Sequence, residues 1–222
     1  MKNGEHPPAY YPIFLNITGK KCVVVGGGQI ALRKVRTLLD YGAIVRVISP
    51  ALCSELNEMA ENGAITIQQR RYRSGDLQEA FVVIAATNDS TINLKVGKDA
   101  RSNALLINVV DDPESSGFIA PSYVRRGDVT IAISSGGRSP ALSQKIRTRL
   151  EEEFGEEYIS LARMISEVRT EIKRQGIKVS SNAWREALDL DLLVDLVKKG
   201  DNEKAKAFLL SSLKKRQKRL LR

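Results

Sequence analysis

Val23-Val24-Val25-Gly26-Gly27-Gly28-Gln29-Ile30-Ala31 joins an apolar, strand-like run to the start of a helix through a G-x-G-x-x-A pattern. Each small residue has a physical reason to stand where it does. Gly26 permits a tight turn, Gly28 lets a pyrophosphate approach the backbone, and Ala31 allows close packing of helix on strand. The helix N-terminus then presents N–H groups to the anion. The competing reading is a glycine-rich turn that holds no ligand. The pattern leaves the nucleotide open, because the Asp or Glu expected about 20 residues on, which would bond the ribose hydroxyls, is replaced by Ile48-Ser49-Pro50. No Arg follows that strand directly to hold a 2′-phosphate, so NAD and NADP both stay possible.

Outward from this motif, strand-like and helix-like periods alternate as they do in a parallel sheet covered by helices. Lys21 to Val25 reads as the first strand. Gln29 to Tyr41 reads as a helix with Ile30, Val35, Leu38 and Leu39 as its apolar stripe, ended by Gly42 as a C′ glycine. Ile44 to Ile48, Ala64 to Gln68, Phe81 to Ala86 and Leu105 to Val110 read as further strands, and Ala51 to Glu61 and Asn88 to Asn103 as helices. Past Gly117 the rhythm changes. Tyr123 to Arg125 and Val129 to Ser134 flank Arg126-Gly127-Asp128 and predict an antiparallel hairpin, since so short a loop cannot return a parallel strand. A helix from Pro140 to about Phe154 follows, with Ser139 placed to cap it. From Glu156 the sequence is helical, with breaks near Gly176 to Asn182 and at Gly200. The expected fold class is α/β: a Rossmann-type doubly wound parallel sheet over residues 1–117, a strand and helix segment over 118–154, and a helical region with a basic tail over 155–222. The middle segment is too small to bury a core of its own, so pairing with a second chain is its expected use.

Composition excludes several classes. The 222 residues are 42% hydrophobic and 27% charged, an ordinary globular balance. The longest apolar run, Phe81 to Ala86, falls far short of the roughly 20 residues that cross a bilayer, and Met1 to Tyr10 lacks a secretory core, so a cytoplasmic protein with no membrane contact is expected. Two cysteines, Cys22 and Cys53, make neither a disulfide framework nor a thiolate cluster. The net charge of +9 is concentrated: Glu203 to Arg222 carries +7, which leaves +2 for the rest. Lys214, Lys215, Arg216, Lys218, Arg219 and Arg222 are either an anion-binding tail or a solvated helix end. With no stacking aromatics or known nucleic-acid module beside them, a nucleic-acid partner is not expected.

Three features bear on chemistry. Asn108-Val109-Val110-Asp111-Asp112-Pro113 ends a buried strand in two carboxylates, at the sheet edge where open α/β folds bind ligands, so Asp111 stands where a proton acceptor would face a nicotinamide. Asp-Asp-Pro is also good turn chemistry. Ser134-Ser135-Gly136-Gly137-Arg138-Ser139-Pro140 leads into a helix with hydroxyls, N–H groups and a guanidinium suited to carboxylate or phosphate, or is a flexible lead-in. The lone histidine, His6, lies in a Pro-rich stretch, so histidine catalysis and a histidine metal site are not expected, and Glu151 to Glu153 read as a solvated helix face rather than a metal site.

Taken in order, Pro12-Ile13-Phe14-Leu15, Val25-Gly26-Gly27-Gly28 with Ala31 and Arg33-Lys34, Ala85-Ala86-Thr87-Asn88, Asn108 to Asp111, Phe118-Ile119-Ala120-Pro121 and Ser134 to Pro140 resemble the precorrin-2 dehydrogenases of siroheme biosynthesis, including the N-terminal module of siroheme synthase. The resemblance spans about Pro12 to Phe154. It implies oxidation of precorrin-2 to sirohydrochlorin with NAD, in a homodimer formed through the middle segment. By position it implies that Gly26, Gly27, Gly28, Gln29, Ile30, Ser49, Pro50, Ala51 and Thr87 line the dinucleotide. Asp111 would be the catalytic base, and Asn108, Ser135, Gly136 and Arg138 would meet the substrate. Arg125, Arg126 and Lys145 are further cations for the substrate's carboxylates. Some family members also insert ferrous iron, which stays an alternative here. A dinucleotide-sensing regulatory domain is the alternative from another class.

Overall fold

The computed structural model describes residues 10–220, with side chains as far as Arg216. His6, Arg222 and the side chains of Lys218 and Arg219 therefore lie outside the described residues. The chain divides into two compact units. One holds the residues to Ala120 together with Gly136–Arg138, the other Pro121–Ser135 and the residues from Ser139 on.

The first unit is a five-stranded parallel sheet of β1 (Lys21–Val25), β2 (Ile44–Ile48), β3 (Thr66–Gln68), β4 (Val82–Ala85) and β5 (Leu106–Val109) in the order β3-β2-β1-β4-β5. Parallel strands need crossovers, and the helices α1 (Gln29–Asp40), α2 (Ser54–Glu61) and α3 (Ser90–Ser102) supply three of them. Because both faces are covered, Cys22 to Val25 of β1 and the whole of β4 are apolar and buried. Cys22, Val24, Val45 and Val47 pack with Ala31, Leu32, Val35 and Leu38 of α1 and Leu56 of α2, while Val23, Val25, Val83 and Ala85 pack with Val96 and Ala100 of α3. Each fully buried Val or Leu there contributes roughly 1.5–3 kcal/mol.

Three expectations need correction. Ile30 is 40% exposed, and the buried stripe of α1 runs through Ala31 and Leu32. The first helical turn stands at the mouth of the glycine loop, so its outer residue has nothing to pack against. The second helix starts at Ser54, not Ala51, because the Cys53 N–H is committed to the Gly27 carbonyl at 2.8 Å. The third begins at Ser90, capped by the Asp89 carboxylate, which accepts from the N–H groups of Thr91 and Ile92.

Between β3 and β4 the crossover contains no helix. Tyr72 and Leu77 of this segment are buried against the α3 face of the sheet. Asp76 fastens it, accepting from both terminal nitrogens of Arg70 at 2.7 Å and from the Arg73 N–H at 2.7 Å, while its own carbonyl accepts from Arg46 at 2.6 Å.

In the second unit β6 (Ser122–Arg126) and β7 (Val129–Ile133) form the antiparallel hairpin, and α4 (Pro140–Glu153) starts at the Ser139 cap, whose hydroxyl accepts from the Leu142 N–H. α5 (Glu157–Arg174), α6 (Ser181–Ala187), α7 (Leu190–Lys198) and α8 (Asn202–Leu220) bury their own cluster around Leu161, Val168, Leu193, Leu209 and Leu213. The break between α6 and α7 is not marked by glycine or proline. Asp189 makes it by accepting from the Leu192 N–H. Among the described residues no helix is long and apolar enough to cross a membrane.

Cys22 is 1% exposed, and burial pushes its thiol up to about 11, opposed in smaller measure by a backbone hydrogen bond at Val82. At pH 8 its thiolate fraction is then about one in a thousand. Disulfide-exchange reagents should label only Cys53 in the native protein and reach Cys22 only in denaturant. Two thiols reacting at similar rates without denaturant would contradict the packing of β1.

Candidate dinucleotide site

The three glycines after β1 have different neighbours. Gly26 has φ +134°, and a Cβ there would lie 2.3 Å from the Ala86 carbonyl oxygen at the end of β4. A Cβ on Gly27 would lie 2.0 Å from the Ala51 carbonyl oxygen. These two are glycines because neighbouring backbone needs the space. Gly28, at φ −90°, would meet nothing within 4 Å. It is the N-cap of α1 and offers no side chain to the free N–H groups, and no acidic residue occupies the first turn. An open glycine before an uncapped helix N-terminus is the cradle a pyrophosphate requires, so the residues present fit a dinucleotide.

The other positions expected around it are arranged as follows. Ser49 is buried, and its hydroxyl donates to the Ala51 carbonyl at 2.7 Å, which shapes the Ser49–Ala51 turn against the glycine loop. Pro50 and Ala51 are exposed, and Gln29 Nε2 donates to Glu55 of α2 at 3.4 Å. Thr87 is half-buried after β4. Its N–H and hydroxyl both donate to the Asn93 side-chain oxygen at 3.1 and 2.8 Å, while the Asn93 amide donates to the Thr87 carbonyl at 2.9 Å. The structure thus gathers Gly26 to Ile30, Ser49 to Ala51 and Thr87 at the carboxyl ends of β1, β2 and β4.

At the end of β5 the chain turns sharply, with the Asp112 N–H donating to the Val109 carbonyl at 3.2 Å and Asp111 in a left-handed conformation at φ +61°. Asp tolerates that conformation better than most residues. The turn is braced. Ser116 Oγ accepts from the Val109 N–H and donates to the Asp112 carbonyl, both at 2.8 Å, and the Asp112 carboxylate accepts from the Ser115 N–H. Those bonds to Ser115 hold Asp112 below the usual carboxylate range. Asp111 is left exposed beside this scaffold. Asn108 is buried, and its amide donates to the Phe118 carbonyl at 3.1 Å, fixing the departing chain.

The substrate candidates of the β7–α4 loop are placed by local bonds. The Ser135 hydroxyl accepts from the Ser139 N–H at 3.0 Å, Gly136 and Gly137 are both left-handed, and Arg138 is exposed.

Two residues here had no role assigned from sequence. Asn93 positions Thr87, and its signal is a polar residue in the buried stripe of α3. Lys34 is half-buried on α1. Burial, then repulsion from Arg33, lowers its ammonium below the ordinary lysine range, and the charge of Asp111 opposes that shift. The carboxylate after β5 thus favours the charged form of a lysine on α1.

Fold and site together define a doubly wound dinucleotide-binding protein. Residues 13–122 match a family model described as "Putative NAD(P)-binding", and residues 126–153 one described as "Sirohaem biosynthesis protein central". The siroheme synthase of Nitrosococcus oceani is 40% identical over 206 residues, covering 92% of this chain and 44% of that protein. That of Chromobacterium violaceum is 38% identical over 200 residues, 89% of this chain and 42% of the relative. The solved structure of SirC, precorrin-2 dehydrogenase, superposes with a TM-score of 0.70 at 27% identity, covering 93% of this chain and all of that one. The chain belongs to the family of the precorrin-2 dehydrogenases and the N-terminal module of the siroheme synthases. It spans under half the length of the siroheme synthases it matches. Its cofactor is a nicotinamide dinucleotide.

The differing glycine environments separate binding from folding. Gly28→Ala should leave stability within about 0.5 kcal/mol, since its φ suits alanine, yet cut dinucleotide affinity by at least about a hundredfold through the methyl in the cradle. Gly26→Ala should cost about 1–3 kcal/mol or more in chemical denaturation. Unchanged dinucleotide affinity in Gly28→Ala would refute the placement of the pyrophosphate.

Proposed function

We propose that this chain oxidises precorrin-2 to sirohydrochlorin, with NAD as oxidant and Asp111 as the base. The observation that carries the reading is the exposed Asp111 carboxylate, set on a braced left-handed turn at the same sheet edge as the glycine cradle. The family resemblance, with SirC matched over its whole length, supplies the substrate class. Bound NAD supplies a hydride acceptor; the macrocycle loses a hydride to it and a proton to the base, so two electrons and two hydrogens leave together. The chain's own residues do the rest. Gly28 and the first-turn N–H groups of α1 hold the pyrophosphate, and Gly27, Gln29, Ile30, Ser49 to Ala51 and Thr87 line the cofactor. Asp111 takes the proton. The substrate's acid groups are assigned to Arg138, with Ser135 and Gly136, and Asn108 holds the chain leaving β5 through the Phe118 carbonyl.

The working form in this proposal is a cytoplasmic homodimer, divided into residues 1–117, 118–154 and 155–222 as the sequence suggested. What supports the dimer is apolar surface on the middle segment: Leu142 and Ile146, one turn apart on α4, are 53% and 38% exposed beside a two-stranded hairpin whose Tyr123 is 36% exposed. A second reading, that the chain also inserts ferrous iron as a substrate, is favoured by relatives named for siroheme synthesis.

Anaerobic turnover of precorrin-2 with NAD, followed through NADH and sirohydrochlorin absorbance, tests the reaction. Asp111→Asn should lower kcat by at least about a hundredfold with NAD binding retained. NAD binding without turnover in the wild type would instead favour a nucleotide sensor. Ferrous iron added to the same reaction distinguishes sirohydrochlorin from siroheme as the end product.

A further inference from the structure

The carboxyl end of β2, where a ribose-reading carboxylate would stand, carries no group free to read the ribose, since the Ser49 hydroxyl is turned into its own loop onto the Ala51 carbonyl. The neighbouring strand takes that place. The Gln68 carbonyl at the end of β3 accepts from the Ser49 N–H at 3.2 Å and from the Arg70 N–H at 2.8 Å, so Arg70 borders position 49 in space although it lies 21 residues further along the chain. Sequence order conceals this neighbour because the pairing of Ile48 with Gln68, not chain proximity, brings the Arg70 backbone there.

Its fork is already filled. Arg70 Nη1 donates to Asp76 Oδ2 at 2.7 Å and to the Arg71 carbonyl at 3.1 Å, and Nη2 donates to Asp76 Oδ1 at 2.7 Å and to Gln68 Oε1 at 2.8 Å. That engages four of the roughly five N–H donors a guanidinium has. The Asp76 side chain is 10% exposed and that of Arg70 32%, so the carboxylate is largely shielded from water and the two charges cancel locally. A 2′-phosphate, a dianion that needs an open guanidinium, would meet a fork whose partner is itself an anion. A 2′-hydroxyl is neutral and makes no such demand.

We propose that the Arg70–Asp76 pair is the specificity element of this cofactor site, in which Asp76 withholds Arg70 from a 2′-phosphate and thereby selects the dinucleotide with a free 2′-hydroxyl. The inference rests on the dinucleotide reading of the glycine cradle. It assigns the discrimination to the β3 edge, in place of the usual residue at the end of β2.

The test is calorimetric titration of the full chain with NAD and with NADP. Wild type should bind NAD at least about tenfold more tightly. Asp76→Asn, which keeps the shape and removes the charge, should gain at least about tenfold in NADP affinity and stay within about twofold for NAD. Adding Arg70→Gln to that variant should erase the gain. Arg70→Gln alone, which leaves the Asp76 carboxylate unpaired, should weaken NADP further and spare NAD, and it provides the readout should Asp76→Asn fail to fold. NADP affinity unchanged in Asp76→Asn and in Arg70→Gln, with NAD bound normally, would overturn the proposal. A wild-type chain that binds NAD and NADP equally would overturn it as well. Binding of neither dinucleotide would overturn the cofactor reading itself.

Discussion

Everything in the first unit depends on how closely three stretches of backbone meet where β1 ends. The carbonyl of Ala86 after β4 and that of Ala51 after β2 occupy the space where side chains on Gly26 and Gly27 would be. The amide of Cys53 ties the Gly27 carbonyl to the start of α2. This convergence brings the ends of three neighbouring strands to one edge and leaves the N-terminus of α1 uncapped. The site follows from the packing: a helix end that no side chain satisfies is available to an anion.

Next to the cradle, chemistry is placed by turns rather than by regular elements. Asp111 holds a conformation that side chains rarely adopt, and this persists because Ser116, Asp112 and Asn108 fix the backbone on both sides of it. Strain of this kind costs of order 1–3 kcal/mol and is retained where surrounding bonds over-determine it. The Asn93 amide does the same for Thr87. At the β3 edge Asp76 both fastens a helix-free crossover and occupies the Arg70 guanidinium, the two contacts on which the proposed specificity rests.

The parts legible in the sequence are those with a local cause. β2 runs over Ile44–Ile48 as its apolar run indicates, the hairpin around Gly127 follows from the shortness of its loop, and Ser139 caps α4 as its position before Pro140 suggests. Gly26 was legible because a tight turn is a backbone property. Ile30 was misplaced because periodicity ignores what stands before a first turn. The α6–α7 break was hidden because Asp189 makes it without glycine or proline. The 69–80 crossover has no period, and its content emerges only when β3 brings Arg70 beside Ser49 and Asp76 folds back on both Arg70 and Arg46. Lys34 was visible only as part of a motif; its burial depends on how α1 lies against the sheet.

The central claim is that a dinucleotide rests its pyrophosphate on the glycine turn and the first turn of α1. The most direct measurement is an amide ¹H–¹⁵N spectrum of the isotope-labelled full chain during titration with NAD. The largest saturable shifts should fall on the amides of Gly27, Gly28, Gln29 and Ile30, with smaller ones at Ser49, Ala51 and Thr87. Saturable binding that leaves the amides of Gly28 to Ile30 unmoved would contradict it.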